Sequence, residues 1–103
     1  MAILRHVVLI RFKPETAPDQ IRAIESAFAG LKAKIAGIEA LEWGTNCSPE
    51  GKAQGFTHCF LLTFASAAAR DAYLPHPDHV AFSILLRPHV DQVLVIDYVV
   101  HSC

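Results

Sequence analysis

A chain of 103 residues, 52% hydrophobic and 18% charged, has room for one domain and is too apolar to stay disordered. Nine Lys and Arg against ten Asp and Glu give a formal charge of −1, and no basic run exists to hold phosphates, which argues against nucleic acid as a partner. Arg5 and Arg11 break the N-terminal apolar stretch and nothing approaches the ~20 apolar residues of a membrane span, so neither a signal peptide nor membrane insertion is expected, and the protein reads as cytoplasmic.

Leu4 to Lys13 alternates as a strand, with Leu4, His6, Val8, Ile10 and Phe12 on the core side and Pro14 closing it. Thr16 followed by Asp19 resembles a capping box. One amphipathic helix is then expected, with Ile21, Ile24, Phe28, Leu31 and Ile35 at steps of three and four, Glu25 off that stripe, and Gly37 as its stop. A second strand runs from Ile38 to Cys47, with Leu41, Trp43 and Thr45 at period two. A turn-rich stretch follows, then a third, well-buried strand from Phe56 to Ala65 carrying Phe56, His58, Phe60, Leu62 and Phe64 on one face. Ser66 caps a short helix over Ala67 to Leu74, and Pro77 opens another, with His76 in the cap position, that runs to about Leu86. Val93 to Val100, rich in β-branched residues, is the last strand.

The order βαββαβ matches a ferredoxin-like α+β fold: a four-stranded antiparallel sheet with both crossovers on one face. The other face is then bare. It carries Val7, Leu9, Cys59 and Leu61 and, since both parities of the last strand are apolar, either Leu94, Ile96 and Tyr98 or Val93, Val95 and Val99. A patch of that size on a small domain predicts a homodimer joined sheet to sheet.

Six histidines are the unusual feature of the composition, because imidazole titrates near neutrality and serves as base, acid or ligand. His6 and His58 fall on the apolar parity of their strands, either as satisfied core residues or as polar groups in a pocket lined by Phe12, Phe28, Phe60, Phe64 and Trp43. With the strands antiparallel, the two lie toward opposite ends of that space. The segment Tyr73-Leu-Pro-His76-Pro-Asp-His79-Val-Ala-Phe82 gathers a phenol and two imidazoles; His79 suits a general base with Tyr73 as its hydrogen-bonding partner, against the plainer roles of cap for His76 and packing for Tyr73. His76 and His79 alone fall short of a zinc site, so no tight metal is expected. His89 and His101 read as surface residues. Cys47, Cys59 and Cys103 have no CxxC spacing and read as idle thiols, Cys59 as interface packing rather than nucleophile. No phosphate cradle or dinucleotide fingerprint is present, so no nucleotide cofactor is expected.

His6-Val-Val-Leu-Ile-Arg-Phe-Lys13, Gly55-Phe-Thr-His58, Tyr73-Leu-Pro-His76-Pro-Asp-His79-Val-Ala-Phe82 and the late Asp97-Tyr98 together resemble the stress-responsive dimeric α/β-barrel (Dabb) domain family over nearly the whole chain. The resemblance implies a homodimer of ferredoxin-like subunits. Some plant members are polyketide cyclases, and their pattern maps the catalytic base onto His79, its partner onto Tyr73 and two pocket histidines onto His6 and His58; Phe28, Phe60 and Phe82 are the apolar residues expected to bind substrate. Pro75 departs from the pattern and bears on the Tyr73–His79 distance.

Three functions are compatible with these residues: a cofactor-independent cyclase or isomerase acting on a small organic molecule, a non-catalytic ligand-binding or stress-associated dimer, and a cofactor-independent oxygenase in which an inward histidine deprotonates a phenolic substrate. A cavity joining His6, His58, Tyr73 and His79 discriminates the enzyme readings from a filled core.

Overall fold

The computed structural model of the chain describes residues 2–101; Cys103 lies outside them. Four strands, β1 (Leu4–Phe12), β2 (Ile38–Thr45), β3 (His58–Phe64) and β4 (Val90–Val99), form one antiparallel sheet in the order β2-β3-β1-β4. The helices α1 (Pro18–Ala29), α2 (Leu31–Lys34), α3 (Ala67–Tyr73) and α4 (Pro77–Leu86) lie against one face. This is the ferredoxin-like arrangement expected from the element order. Leu4, Val8, Ile10, Phe60, Leu62 and Phe64 from the two central strands bury against Ile24, Phe28, Leu31 and Phe82 from the helices, and burying each such side chain contributes about 1.5–3 kcal/mol.

The first helical region differs from its sequence reading. Thr16 is not the cap: its hydroxyl donates to the His89 carbonyl at 3.3 Å, while α1 starts after Ala17, whose backbone N–H is met by the Gln20 side chain at 3.0 Å. The expected single helix is two, parted at Gly30, and Ile35 already has extended backbone. Its stripe survives the break, since Ile24, Phe28, Leu31 and Ile35 are all buried.

Strand register decides which parity of β4 faces which way. Val7 lies between Leu61 and Ile96, and Leu9 between Cys59 and Leu94, so Leu94, Ile96 and Tyr98 join the uncovered face. Val93, Val95, Asp97 and Val99 share the helix side with His6. Val93 and Val95 are nonetheless exposed, because the helices stop short of this edge strand and leave a cavity there. Trp43, on the opposite edge, is also 40% exposed, so the expectation that it belongs to an enclosed aromatic pocket does not hold.

Candidate active site

The α3–α4 junction builds the site. Ser66 accepts from the Ala69 backbone N–H at 3.2 Å and starts α3; Pro75 lacks an N–H and stops it. His76 then accepts the Asp78 backbone N–H on Nδ1 at 3.1 Å and starts α4, the cap role read from the sequence. Asp78 N–H is the donor a continuous helix would send to the Leu74 carbonyl. With that donor diverted, the Leu74 oxygen is met by His79 Nδ1 at 2.9 Å. A carbonyl only accepts, so Nδ1 carries the proton and, in the neutral ring, Nε2 carries the lone pair of a base.

Pro75 does not separate Tyr73 from His79: their ring centroids are 4.3 Å apart at 43°. On its other side the Tyr73 ring meets His6 edge-on at 5.7 Å. Tyr73 is buried, and its hydroxyl has no hydrogen-bond partner among the described residues. Burial pushes its pKa well above the usual tyrosine range, which keeps the phenol neutral, a donor, at any physiological pH. An unpartnered buried hydroxyl costs about 1–3 kcal/mol, so its presence in a native fold calls for a reason such as a catalytic role.

His6, Tyr73, His79, Phe28 and Phe82 line one cavity of about 400 Å³, with Leu74, Leu86, Val90, Val93 and Val95 completing apolar walls and Ser83 and Arg87 adding polar groups. That volume suits a small organic molecule. His6 is itself held: Nδ1 lies 2.6 Å from Asp97 Oδ1, directly across the β1–β4 ladder, and Arg70 donates to Asp97 Oδ2 at 2.7 Å. Burial raises the Asp97 pKa, but hydrogen bonds from Arg70 and His6, with the charge of the guanidinium, outweigh it and hold the carboxyl below its usual range.

Five expected pocket residues do not line this cavity. His58 pairs with Ile10, four residues along β1 from the His6 position, roughly 13 Å away at the rise of a strand. Both its ring nitrogens are engaged, Nε2 by Glu25 at 2.7 Å and Nδ1 by the Thr57 hydroxyl at 2.7 Å. Phe60 is fully buried, stacked on Phe28 at 4.1 Å, and does not line the cavity; Phe12, Phe64 and Trp43 do not line it either. Asp97, Arg70 and Glu25 were missed as functional partners in the sequence. The available signals were an acidic residue between the apolar Ile96 and Tyr98 of β4 and a glutamate at helical spacing between Ile21 and Phe28.

Fold and cavity together define a small α+β domain of the ferredoxin-like class with a histidine- and tyrosine-bearing pocket under one edge of its sheet. The chain belongs to the stress-responsive A/B barrel domain family, whose model matches residues 4–100. It is 39% identical over 95 residues to the stress-response A/B barrel domain-containing protein HS1 of Arabidopsis thaliana, covering 92% of this chain and 87% of that one. It is 27% identical over 95 residues to olivetolic acid cyclase of Cannabis sativa, covering 92% and 94%. Among solved structures, the hydroxynitrile lyase of Passiflora edulis superposes with a TM-score of 0.92 at 28% identity over 98% of this chain and 95% of that one. A ferredoxin-like protein of unknown function from Jannaschia sp. CCS1, with a TM-score of 0.81 at 31% identity over 93% and 97%, is described as dimeric.

Proposed function

We propose that the chain is a homodimeric, small-molecule-binding domain whose cavity performs proton transfer on a carbon acid: His79 Nε2 takes a proton from the carbon next to a carbonyl, and the Tyr73 hydroxyl donates to the oxygen on which the electron pair settles. The observation that carries this reading is the unpartnered Tyr73 hydroxyl beside an imidazole whose tautomer is fixed by Leu74. A base and a neutral donor side by side are what enolisation needs, since charge develops on the oxygen as the proton leaves. Atoms balance simply: the C–H pair becomes the C=C of the enolate, the carbonyl π pair becomes the oxyanion, and the imidazolium returns its proton afterwards. The cyclase and lyase names of two relatives support the reading in its simpler part, because closing a carbon ring onto a carbonyl and expelling cyanide from a hydroxynitrile both turn on a base that takes a proton. Dimerisation is supported by the uncovered apolar face and by the dimeric neighbour.

Ligand binding without turnover is the second reading, favoured by the occupied nitrogens of His58, which leave three of the four family-matched residues on the cavity. One experiment separates the two. Acetophenone in D2O near pD 7, followed by proton NMR, should lose its methyl signal faster with this protein than with equimolar imidazole, and His79→Ala should abolish the excess. Exchange no faster than imidazole, with binding still seen by ligand line broadening, supports binding without turnover.

A further inference from the structure

The pair His6–Asp97 is fixed from outside the cavity. Asp97 sits opposite His6 in the ladder and offers one oxygen to each of two donors: Oδ1 to His6 Nδ1 at 2.6 Å and Oδ2 to an Arg70 terminal nitrogen at 2.7 Å. Arg70 is itself anchored, with Nε donating to Asp71 Oδ1 at 2.8 Å. A carboxylate rotating freely about its last bond would leave the imbalance between the two His6 tautomers loosely set. Here the guanidinium occupies one oxygen and aims the other at Nδ1.

We infer that Arg70 is a positioning residue: acting through Asp97, it locks His6 in the Nδ1–H tautomer and leaves Nε2 as a proton acceptor on the cavity wall beside Tyr73. The consequence rests on the proton-transfer reading above. The cavity then presents two imidazoles of the same tautomer on either side of one phenol, His79 set by a backbone carbonyl and His6 by an Arg–Asp pair. The groups facing this pair are Arg70, Asp71 and Tyr73 from α3, with His79 beyond the Tyr73 ring. Arg70 touches neither the cavity nor, therefore, any ligand in it.

Long-range proton–nitrogen NMR of the 15N-labelled protein near neutral pH reads the tautomer without any substrate. In the unsubstituted chain, His6 should show a pyrrole-type Nδ1 and a pyridine-type Nε2, with the Nδ1–H form favoured by roughly tenfold or more, the size expected of a charge-assisted hydrogen bond. In Arg70→Met, folded by its amide spectrum, that preference should fall toward a mixture, and Arg70→Lys should restore part of it. If Arg70→Met does not fold, Arg70→Gln retains a donor to Asp97 without the charge and should show the same loss. An unchanged His6 signature in the folded variant, or an Nε2–H tautomer in the unsubstituted chain, overturns the proposal. Acetophenone exchange measured on the same samples reports on the His79 reaction separately: lost tautomer preference with no exchange in any sample leaves the positioning role standing and removes the catalytic one.

Discussion

His79 Nδ1 and the Leu74 carbonyl lie 2.9 Å apart, a hydrogen bond that exists because the proline between Leu74 and His76 ends one helix and a histidine cap begins the next. The contact is exposed and replaceable by solvent. His79→Ala should therefore cost under about 1 kcal/mol in folding while removing the base. Thermal unfolding beside the exchange assay checks this; a variant strongly destabilised yet fully active would make His79 structural.

Tyr73→Phe separates donor from packing. The hydroxyl has no partner among the described residues, so its removal should leave the melting temperature unchanged or raise it, whereas the rate should fall about 10²–10³-fold, the effect of deleting one oxyanion donor. A clear loss of stability would show that the hydroxyl is satisfied within the fold.

Two groups set the pH limits in opposite directions. The Asp97 carboxyl is held below its ordinary value of 3.8, so the stability it contributes is present above that pH and is lost as pH falls through the lower folded value. Arg70→Met should shift the acid unfolding midpoint upward. Tyr73 is held above its ordinary value of 10.0, so the folded state keeps a proton that the unfolded state gives up, and stability should fall as pH rises past about 10. The carbon-13 resonance of the ring carbon bearing the Tyr73 oxygen should stay at its neutral position until the protein unfolds; tyrosinate formation in the folded state would contradict this.

The uncovered sheet face makes the fourth prediction. Leu9→Glu with Leu61→Glu places two carboxylates among Val7, Leu94 and Ile96 and should yield monomer or unfolded chain by light scattering. A folded monomer for the unsubstituted chain at micromolar concentration would remove the sheet-to-sheet dimer.

The facing of β1 and β3 was legible because their alternation is strict and one parity is far more apolar. The sequence left β4 open, since Val93, Val95 and Val99 are as apolar as Leu94 and Ile96; only pairing across β1 puts Asp97 beside His6. The helix break at Gly30 was hidden by a stripe that continues through it. Tyr73 and His79 were legible from spacing around the prolines, and the antiparallel reading that sets His58 at the opposite end from His6 agrees with its pairing to Ile10; that His58 lines a separate cavity was not legible, because alternation gives a face and not a position along it. Its carboxylate partner, Glu25, looked solvent-facing from helical spacing alone.

A crystal structure with an alkyl-substituted phenol tests the central claim most directly, because a phenol oxygen mimics an enolate and the alkyl chain suits the apolar walls. The account predicts that oxygen within hydrogen-bonding distance of both the Tyr73 hydroxyl and His79 Nε2, with the alkyl group toward Phe28, Phe82 and Val95. A phenol bound in this cavity with its oxygen turned away from both, and Tyr73 still unpartnered, would contradict it.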